Sequence, residues 1–352
     1  MDCTWGDLMK RISSALGIVS LVRAVRARDI HNQAERSFTL GIFGREDLVS
    51  ELATALGGSK LAGPQETGYL RTGPRVSLNP ETLSSLSAAL VVSGGTPADE
   101  QLASLVAGPR VPVPMLVLQR ESPATDTQRL SLTAKRDPFL KHATVPDFSS
   151  AKALEAVAQF LAMVPELRLA IGRRLAGLRG PLARQIIAET SKANAEVAAL
   201  SNIPDFIPII GNFVGTAAEF VVLTKTQITM VYSLAALYDR DVRKRYKVLM
   251  EIMPVVGSAF VWRTVARELV GLVPLFLGAI PKIAIAYAGT FVVGQSAAYY
   301  YNEGRKPPRE LVRSFYETAV ARTKSLRIFG FPRKETKGTA VLEPALQAVS
   351  SE

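Results

Sequence analysis

The chain has 352 residues, with 42 Lys and Arg against 31 Asp and Glu, a formal net charge of +11 and a mean hydropathy of +0.17. The single cysteine excludes an internal disulfide and a metal site built from several thiolates, and the two histidines lie far apart in sequence without metal-ligand spacing. The length allows two or three domains, and the positive charge favours anionic partners such as lipid or nucleic acid.

Residues 1–35 are predicted to form an amphipathic helix, because apolar residues recur at three- and four-residue steps between Trp5 and Val19. The pattern suits a helix packed on the next domain or an in-plane membrane anchor with Trp5 among the lipid headgroups. Asp2, Asp7 and Lys10 interrupt the segment before the apolar core of a secretory signal.

Residues 36–164 are predicted to form a small α/β domain, because short apolar runs alternate with helical patterns. Such alternation indicates a parallel sheet covered on both faces. A weaker strand is expected near Arg75 to Leu78, and the polar, proline-containing stretch Ser122 to Ser150 is expected to be irregular. The predicted strands are Phe38–Phe43, Ala88–Val92 and Val113–Gln119, and the predicted helices are Asp47–Leu56, Ala98–Val106 and Leu154–Met163.

The turn after the first strand is the place where a P-loop would lie. Phosphate binding there needs Gly-x-x-x-x-Gly-Lys followed by Ser or Thr, so that backbone N–H groups wrap the phosphates and the Lys reaches their charge. Gly41 and Gly44 occupy the P-loop position, but the Lys and the hydroxyl are missing and Glu46 with Asp47 would repel a polyphosphate. The position is therefore a degenerate P-loop, and no cofactor is expected.

A set of arginines lies off the apolar stripe of a helical pattern that begins near Leu167. These arginines indicate a solvated face, contact with anionic lipid or contact with nucleic acid, in that order of preference. Gly180-Pro181 is expected to bend or split this helix. The arginines are Arg168, Arg173, Arg174, Arg179 and Arg184.

Residues 165–330 are predicted to form an all-α hydrophobic domain. Ile283 to Tyr301 is free of charge and just long enough to span a bilayer, and tyrosines at its end precede Arg305 and Lys306, as at a cytoplasmic membrane boundary. Ile252 to Trp262 is too short to span. An unusually apolar soluble bundle is the alternative, since buried charges are costly in lipid. From residue 331 to 352 the chain is expected to be disordered.

Two charged residues interrupt the apolar helix that precedes these blocks. Glu219 and Lys225 do not share a helix face, so an ion pair between them is not expected. In one reading Lys225, with Thr224 and Gln227, binds an anionic group or a partner helix. In the other reading neighbouring helices satisfy each polar side chain inside a bundle.

The stretch KANAEVAALSNIPDFIPIIGNFVG followed by EFVVLTKTQITMVYSLAALYDRD resembles the helical domain of unknown function 697, the YcjF-like family. The resemblance covers about Glu166 to Tyr301, and Leu223 to Met230 is its most specific part. It implies association with the inner membrane and a preceding small GTPase-like domain, but no known reaction. Where a GTPase-like domain would have its guanine-reading motif, this chain has Leu118 to Glu121. Only Ser150-Ala151-Lys152 resembles a GTPase motif.

These features together predict a non-catalytic, membrane-associated scaffold or regulatory protein with a degenerate GTPase-like domain. It is expected at the cytoplasmic face of the inner (plasma) membrane, as an integral or a peripheral protein. GTP hydrolysis is not expected. The expected partners are anionic lipids and an unidentified protein, with homo-oligomers allowed and nucleic acid not expected. Candidate contact residues are Glu219, Lys225, Gln227, Arg173 and Arg174. The alternative is a divergent GTP or ATP hydrolase coupled to a membrane domain.

Overall fold

The computed structural model describes residues 25–57, 69–74, 80–94, 113–121, 139–200, 214–244, 247–248 and 279–323. The chain divides into two compact units. The sheet unit comprises Asp29–Ala183 and Ala236–Asp239, and the helical unit comprises the remaining residues. The sheet unit therefore extends past residue 164, where the sequence pattern places the end of the α/β domain.

The sheet unit contains a five-stranded parallel sheet with the strand order β2-β1-β3-β4-β5. The predicted α/β class and parallel sheet are thus confirmed. All residues of the central strands β1 and β3 are buried, as expected for strands covered on both faces. The strands are β1 Leu40–Phe43, β2 Leu70–Gly73, β3 Ala88–Ser93, β4 Met115–Arg120 and β5 Leu140–Val145.

The edge strand β5 lies inside the stretch predicted to be irregular, and that prediction is wrong. Leu140 and Val145 are buried at the two ends of the strand, whereas the four residues between them are exposed or half-buried. An edge strand has a neighbour on one side only, so polar residues are tolerated in its middle. This is why the apolar run that marks a central strand is missing here.

Among the described residues, the α-helices that lie wholly or mostly in the sheet unit are α1 Ala27–Ala34, α2 Glu46–Gly57, α3 Pro80–Ser84, α4 Ala151–Phe160 and α5 Arg168–Arg174. Helix α5 buries Leu169, Ala170 and Ile171. Gly172 allows a close approach, because a Cβ there would lie 2.2 Å from Leu237 Cδ1. These contacts place α5 in the sheet unit.

Four further helices are α6 Arg179–Leu200, α7 Val214–Leu237, α8 Ala279–Glu303 and α9 Arg309–Thr323. The division between the two units falls within α6 and α7. The helix break expected at Gly180-Pro181 lies earlier, at Ala176–Leu178, and Pro181 falls in the first turn of α6. Proline is tolerated there because the first-turn N–H groups have no partner within the helix.

Helix α8 contains the predicted membrane span Ile283 to Tyr301. Among the described residues, no helix reaches the combination of length and hydropathy that a bilayer crossing requires. The predicted span is therefore wrong, and so is the location at the inner membrane. Polar residues such as Gln295 and Ser296, with the tyrosines, lower the mean hydropathy of a segment that is free of charge.

Several predicted segments lie outside the described residues. Only Val25 and the residues after it are described from the predicted N-terminal helix. Glu219 of the predicted hydrophobic domain falls in the first turns of α7. For residues 214–220 of that helix the structure describes the backbone alone. The segments outside the description include the strand near 75–78, the helix 98–106, the apolar block 252–262 and the tail 331–352.

Candidate functional site

The carboxyl ends of β1 and β3 are where an open parallel sheet of this order would hold a ligand. Strand β2, which follows β1 in the chain, pairs with one side of β1. Strand β3 comes next and pairs with the other side of β1. The crevice outside such a reversal of strand order is the usual binding position in doubly wound sheets. The candidate site therefore consists of Gly44 and Arg45 after β1, Ser93 at the end of β3, and Gly94 after it.

The two glycines of the degenerate P-loop are sites of close packing. A Cβ at Gly44 would lie 2.4 Å from Val92 Cγ2 and 2.7 Å from the Val92 carbonyl oxygen. A Cβ at Gly41 would lie 2.5 Å from Leu86 Cδ1. At Gly44 the close contact includes backbone of β3 and leaves no room for a side chain, whereas at Gly41 the close contacts are with side chains.

Arg45 and Asp47 form a two-point ion pair at the start of α2. Arg45 Nε lies 2.6 Å from Asp47 Oδ1, and Arg45 Nη2 lies 2.8 Å from Oδ2. The hydrogen bonds from Arg45 lower the pKa of Asp47 from its ordinary 3.8 to about 2. Glu46 adds a second negative charge to this first turn, where the helix dipole favours anions. The protein's own carboxylates thus occupy the end of the helix that a phosphate would approach.

Side chains of α2 also reach the end of β3. A Cβ at Gly94 would lie 3.4 Å from Leu48 Cδ1 and 3.8 Å from Arg45 Nη1. Leu48 is buried. Leu48 and Arg45 therefore lie against the crevice at the strand-order reversal.

A second ion pair connects the end of β4 to α2. Arg120 Nη2 lies 2.5 Å from Glu51 Oε2, and Glu51 Oε1 accepts a hydrogen bond from the backbone N–H of Phe148 at 2.9 Å. The Arg120 guanidinium also lies 5.1 Å from the centre of the Phe148 ring. One carboxylate thereby connects α2, β4 and the β5–α4 connection.

The residues at the guanine-reading position form a third ion pair. Lys152 Nζ lies 2.6 Å from Glu121 Oε1. Ser150 is the N-cap of α4, and its Oγ accepts a hydrogen bond from the Ala153 N–H at 3.2 Å. Ser150 and Lys152 of the Ser150-Ala151-Lys152 tripeptide thus each have a structural role that does not need a nucleotide.

Gln119 and His142 form a polar pair on adjacent strands that the sequence reading did not identify. His142 Nε2 lies 2.9 Å from Gln119 Oε1, and Gln119 is buried. Burial lowers the pKa of His142, which favours the neutral imidazole. Side chains alternate between the two faces of a strand, so Gln119 lies on the same sheet face as the apolar Val117. A polar residue at such a position in β4 is the signal that could have identified this pair.

Arg173 and Arg174, proposed as partner or lipid contacts, bind groups within the sheet unit. Arg173 forms ion pairs with Glu35 and with Asp239, the latter at 2.7 Å. Burial opposes the charge of Arg173, but hydrogen bonds to the two carboxylates outweigh it and raise the pKa. Arg174 donates to the Ala34 carbonyl at 3.0 Å and lies 4.5 Å from the centre of the Tyr69 ring.

Gln227 belongs to a buried hydrogen-bond network that connects α6, α7 and α8 within the helical unit. Gln227 Nε2 and Asn194 Nδ2 both donate to Thr290 Oγ1, at 2.9 and 2.8 Å. Thr226 donates to Asn194 Oδ1 at 2.5 Å. Lys225, in contrast, is exposed. The structure thus separates Gln227, which packs inside the unit, from Lys225 on its surface.

Comparison with known proteins found no matching family model, no matching curated protein and no matching solved structure. The resemblance to the domain of unknown function 697 therefore stays a prediction from the residues quoted above.

Proposed function

We propose that this protein is a non-catalytic scaffold or regulatory protein, with a sheet unit that resembles a GTPase domain and works without a nucleotide. The observation that carries the proposal is the closed β1–α2 turn. There Gly44 packs directly on Val92, and Arg45 is paired with Asp47.

The length of this turn supports the proposal. Strand β1 ends at Phe43 and helix α2 begins at Glu46, so two residues connect them. A phosphate-binding loop needs several consecutive backbone N–H groups directed at the ligand, with a Lys and a hydroxyl at its end. Two residues followed by two carboxylates do not supply this chemistry.

The opposite side of the crevice supports the same function. In a GTPase-like domain the connections after β4 and β5 would read the base. Here Glu121 and Lys152 neutralise each other at 2.6 Å, and Glu51 holds Arg120 and the Phe148 N–H. Ion pairs within the protein thus stabilise the end of the sheet that a bound nucleotide would otherwise order.

As part of this proposal, helices α6 to α9 act as a distinct hydrophobic helical domain that contacts other proteins. The resemblance of Leu223 to Met230 to the domain of unknown function 697 favours such a pairing with a GTPase-like domain. The alternative remains a divergent GTP or ATP hydrolase with an unusual site.

Equilibrium dialysis of the full chain against labelled GTP and ATP with magnesium tests the proposal. At about 1 mM nucleotide even a site of about −4 kcal/mol would be half filled. We expect no saturable, magnesium-dependent binding, while a GTP-binding protein in parallel dialysis cells binds normally. Saturable binding that Gly44→Val abolishes would favour the hydrolase.

A further inference from the structure

Helices α7 and α8 run in the same direction within the helical unit, and no short turn connects them in the chain. Gln227 bonds to Thr290, and further along both helices a Cβ at Gly294 would lie 3.1 Å from Met230 Cε. Helix α6 runs the opposite way, since its Asn194 bonds to Thr290 and the earlier Ile187 packs on Gly294. Residue numbers therefore rise together along α7 and α8.

This common direction brings two turns that are distant in sequence to the same end of the unit. At about 1.5 Å per residue, Arg240 lies ~20 Å beyond Gln227, and Arg305 lies ~22 Å beyond Thr290. The turn after α7 and the turn after α8 therefore both lie beyond these contacts, toward the same end of the unit. An antiparallel arrangement would have placed them at opposite ends.

Both turns are strongly basic, and together they form what we name the basic end. Its cations are exposed, and none has a carboxylate within 4 Å among the described residues. They are Arg240, Lys244, Lys247, Arg305, Lys306 and Arg309. Cations near the C-terminal end of a helix interact favourably with the helix dipole. The dipoles of two helices do not by themselves explain this concentration of positive charge.

We infer that the basic end binds an acidic segment of a protein partner. Three exposed carboxylates, Asp241, Glu303 and Glu310, lie among the cations, and Asp241 is paired with Arg243 at 3.0 Å. Charges of both signs suit a protein surface, which offers complementary groups one by one. A uniform row of phosphates, in contrast, would be repelled by these carboxylates.

The residue types at this end agree with a protein interface. Tyr299 is half-buried on the last turns of α8, close in sequence to Arg305 and Arg309. Tyrosine and arginine dominate the energetics of protein interfaces. The inference rests on the proposed scaffold function, because it names the chemistry of the partner that a scaffold would bind.

The test measures binding of a fluorescent poly-glutamate peptide to the full chain by anisotropy, at about 0.15 M salt, where charges are screened beyond about 8 Å. The first variant carries Lys306→Glu and Arg309→Glu in the basic end. The matched control carries Arg36→Glu and Lys141→Glu, which change the net charge equally at exposed positions of the sheet unit. Circular dichroism checks that both variants keep the helical content of the parent.

We expect Kd for the peptide to rise at least about tenfold in the first variant and less than about twofold in the control. Equal weakening in both variants would overturn the inference, because net charge alone would then explain binding. Stronger binding of phosphatidylglycerol vesicles or DNA than of the peptide, at equal charge concentration, would also overturn it. Nucleotide does not enter this measurement, so its failure is distinct from a failure of the dialysis experiment.

Discussion

Arg173 and Asp239, 66 residues apart in the chain, are joined by a hydrogen bond of 2.7 Å from Arg173 Nε to Asp239 Oδ1. Asp239 follows α7 in the left-handed conformation, with φ 63°, a position that favours glycine. Its N–H donates to the Ala236 carbonyl at 3.1 Å, which closes the end of the helix. Asp239 thus combines a helix-ending backbone with a carboxylate that holds Arg173.

Substitutions at Asp239 separate these two roles. Asp239→Gly loses the ion pair but relaxes the backbone, so we expect the free energy of unfolding to change by less than about 1 kcal/mol. Asp239→Ala loses the pair and keeps the strain, so it should be less stable than the glycine variant by about 1 kcal/mol. Urea unfolding measures both, and equal stability of the two variants would show that backbone strain is absent.

Gly177 and Gly289 form a matched pair for substitution by alanine. A Cβ at Gly177 would lie 1.9 Å from the Ala55 carbonyl oxygen, so Gly177→Ala should destabilise the sheet unit by about 1–3 kcal/mol or more. A Cβ at Gly289 would meet nothing within 4 Å, and Gly289→Ala in the middle of α8 should stabilise by about 0.5–1 kcal/mol. Thermal unfolding of both variants tests the contrast, and a shift of the same sign in both would contradict it.

Thr290 and Thr224 offer a second contrast in the helical unit. Thr290→Val removes the hydroxyl that accepts from Asn194 and Gln227, so both hydrogen bonds to it are lost, and we expect a loss of about 1–3 kcal/mol in the free energy of unfolding. The buried hydroxyl of Thr224 has no hydrogen-bond partner in the described part of the chain. Thr224→Val should therefore be neutral or stabilising. Chemical denaturation compares the two valine variants, and a larger loss for Thr224→Val would refute this account of the network.

The pKa of Asp47 depends on Arg45. Because the folded-state pKa is about 2 and the ordinary value is 3.8, the ionised carboxylate stabilises the fold above pH 4, and this contribution disappears as the pH falls towards 2. In Arg45→Met the pKa of Asp47 should rise towards 3.8, because the side-chain donors are removed. NMR titration of the carboxyl carbon measures the shift, and an unchanged pKa would mean that the ion pair does not form in solution.

Much of the sheet unit was predictable from local patterns. The buried strands β1, β3 and β4 coincide with uninterrupted apolar runs, and α2 and α4 lie within a few residues of their predicted bounds. The signal is strong because both faces of a central strand are covered, so that nearly every residue must be apolar. The edge strands β2 and β5 have a weaker signal, since one side of each lacks a neighbouring strand.

The roles of the polar residues depended on contacts that the sequence does not encode locally. Arg173 and Arg174 have the pattern of a solvated or lipid-facing set, yet Glu35, Asp239 and Tyr69 provide their partners from distant parts of the chain. Ser150 and Lys152 resembled a nucleotide motif, and their actual roles are a helix cap and an ion pair. A side chain's partner is set by the packing of elements, which spacing along the chain does not specify.

The sequence by itself determined the α/β class of the sheet unit and the absence of the P-loop lysine and hydroxyl, because both follow from residue types at adjacent positions. Only the tertiary structure decided that α7 and α8 run in the same direction, which brings Arg240 and Arg305 to one end of the helical unit. It also placed Gln227 against Thr290 and closed the turn at Gly44. Helix direction and close packing arise from contacts between distant residues, so no single stretch of the chain contains them.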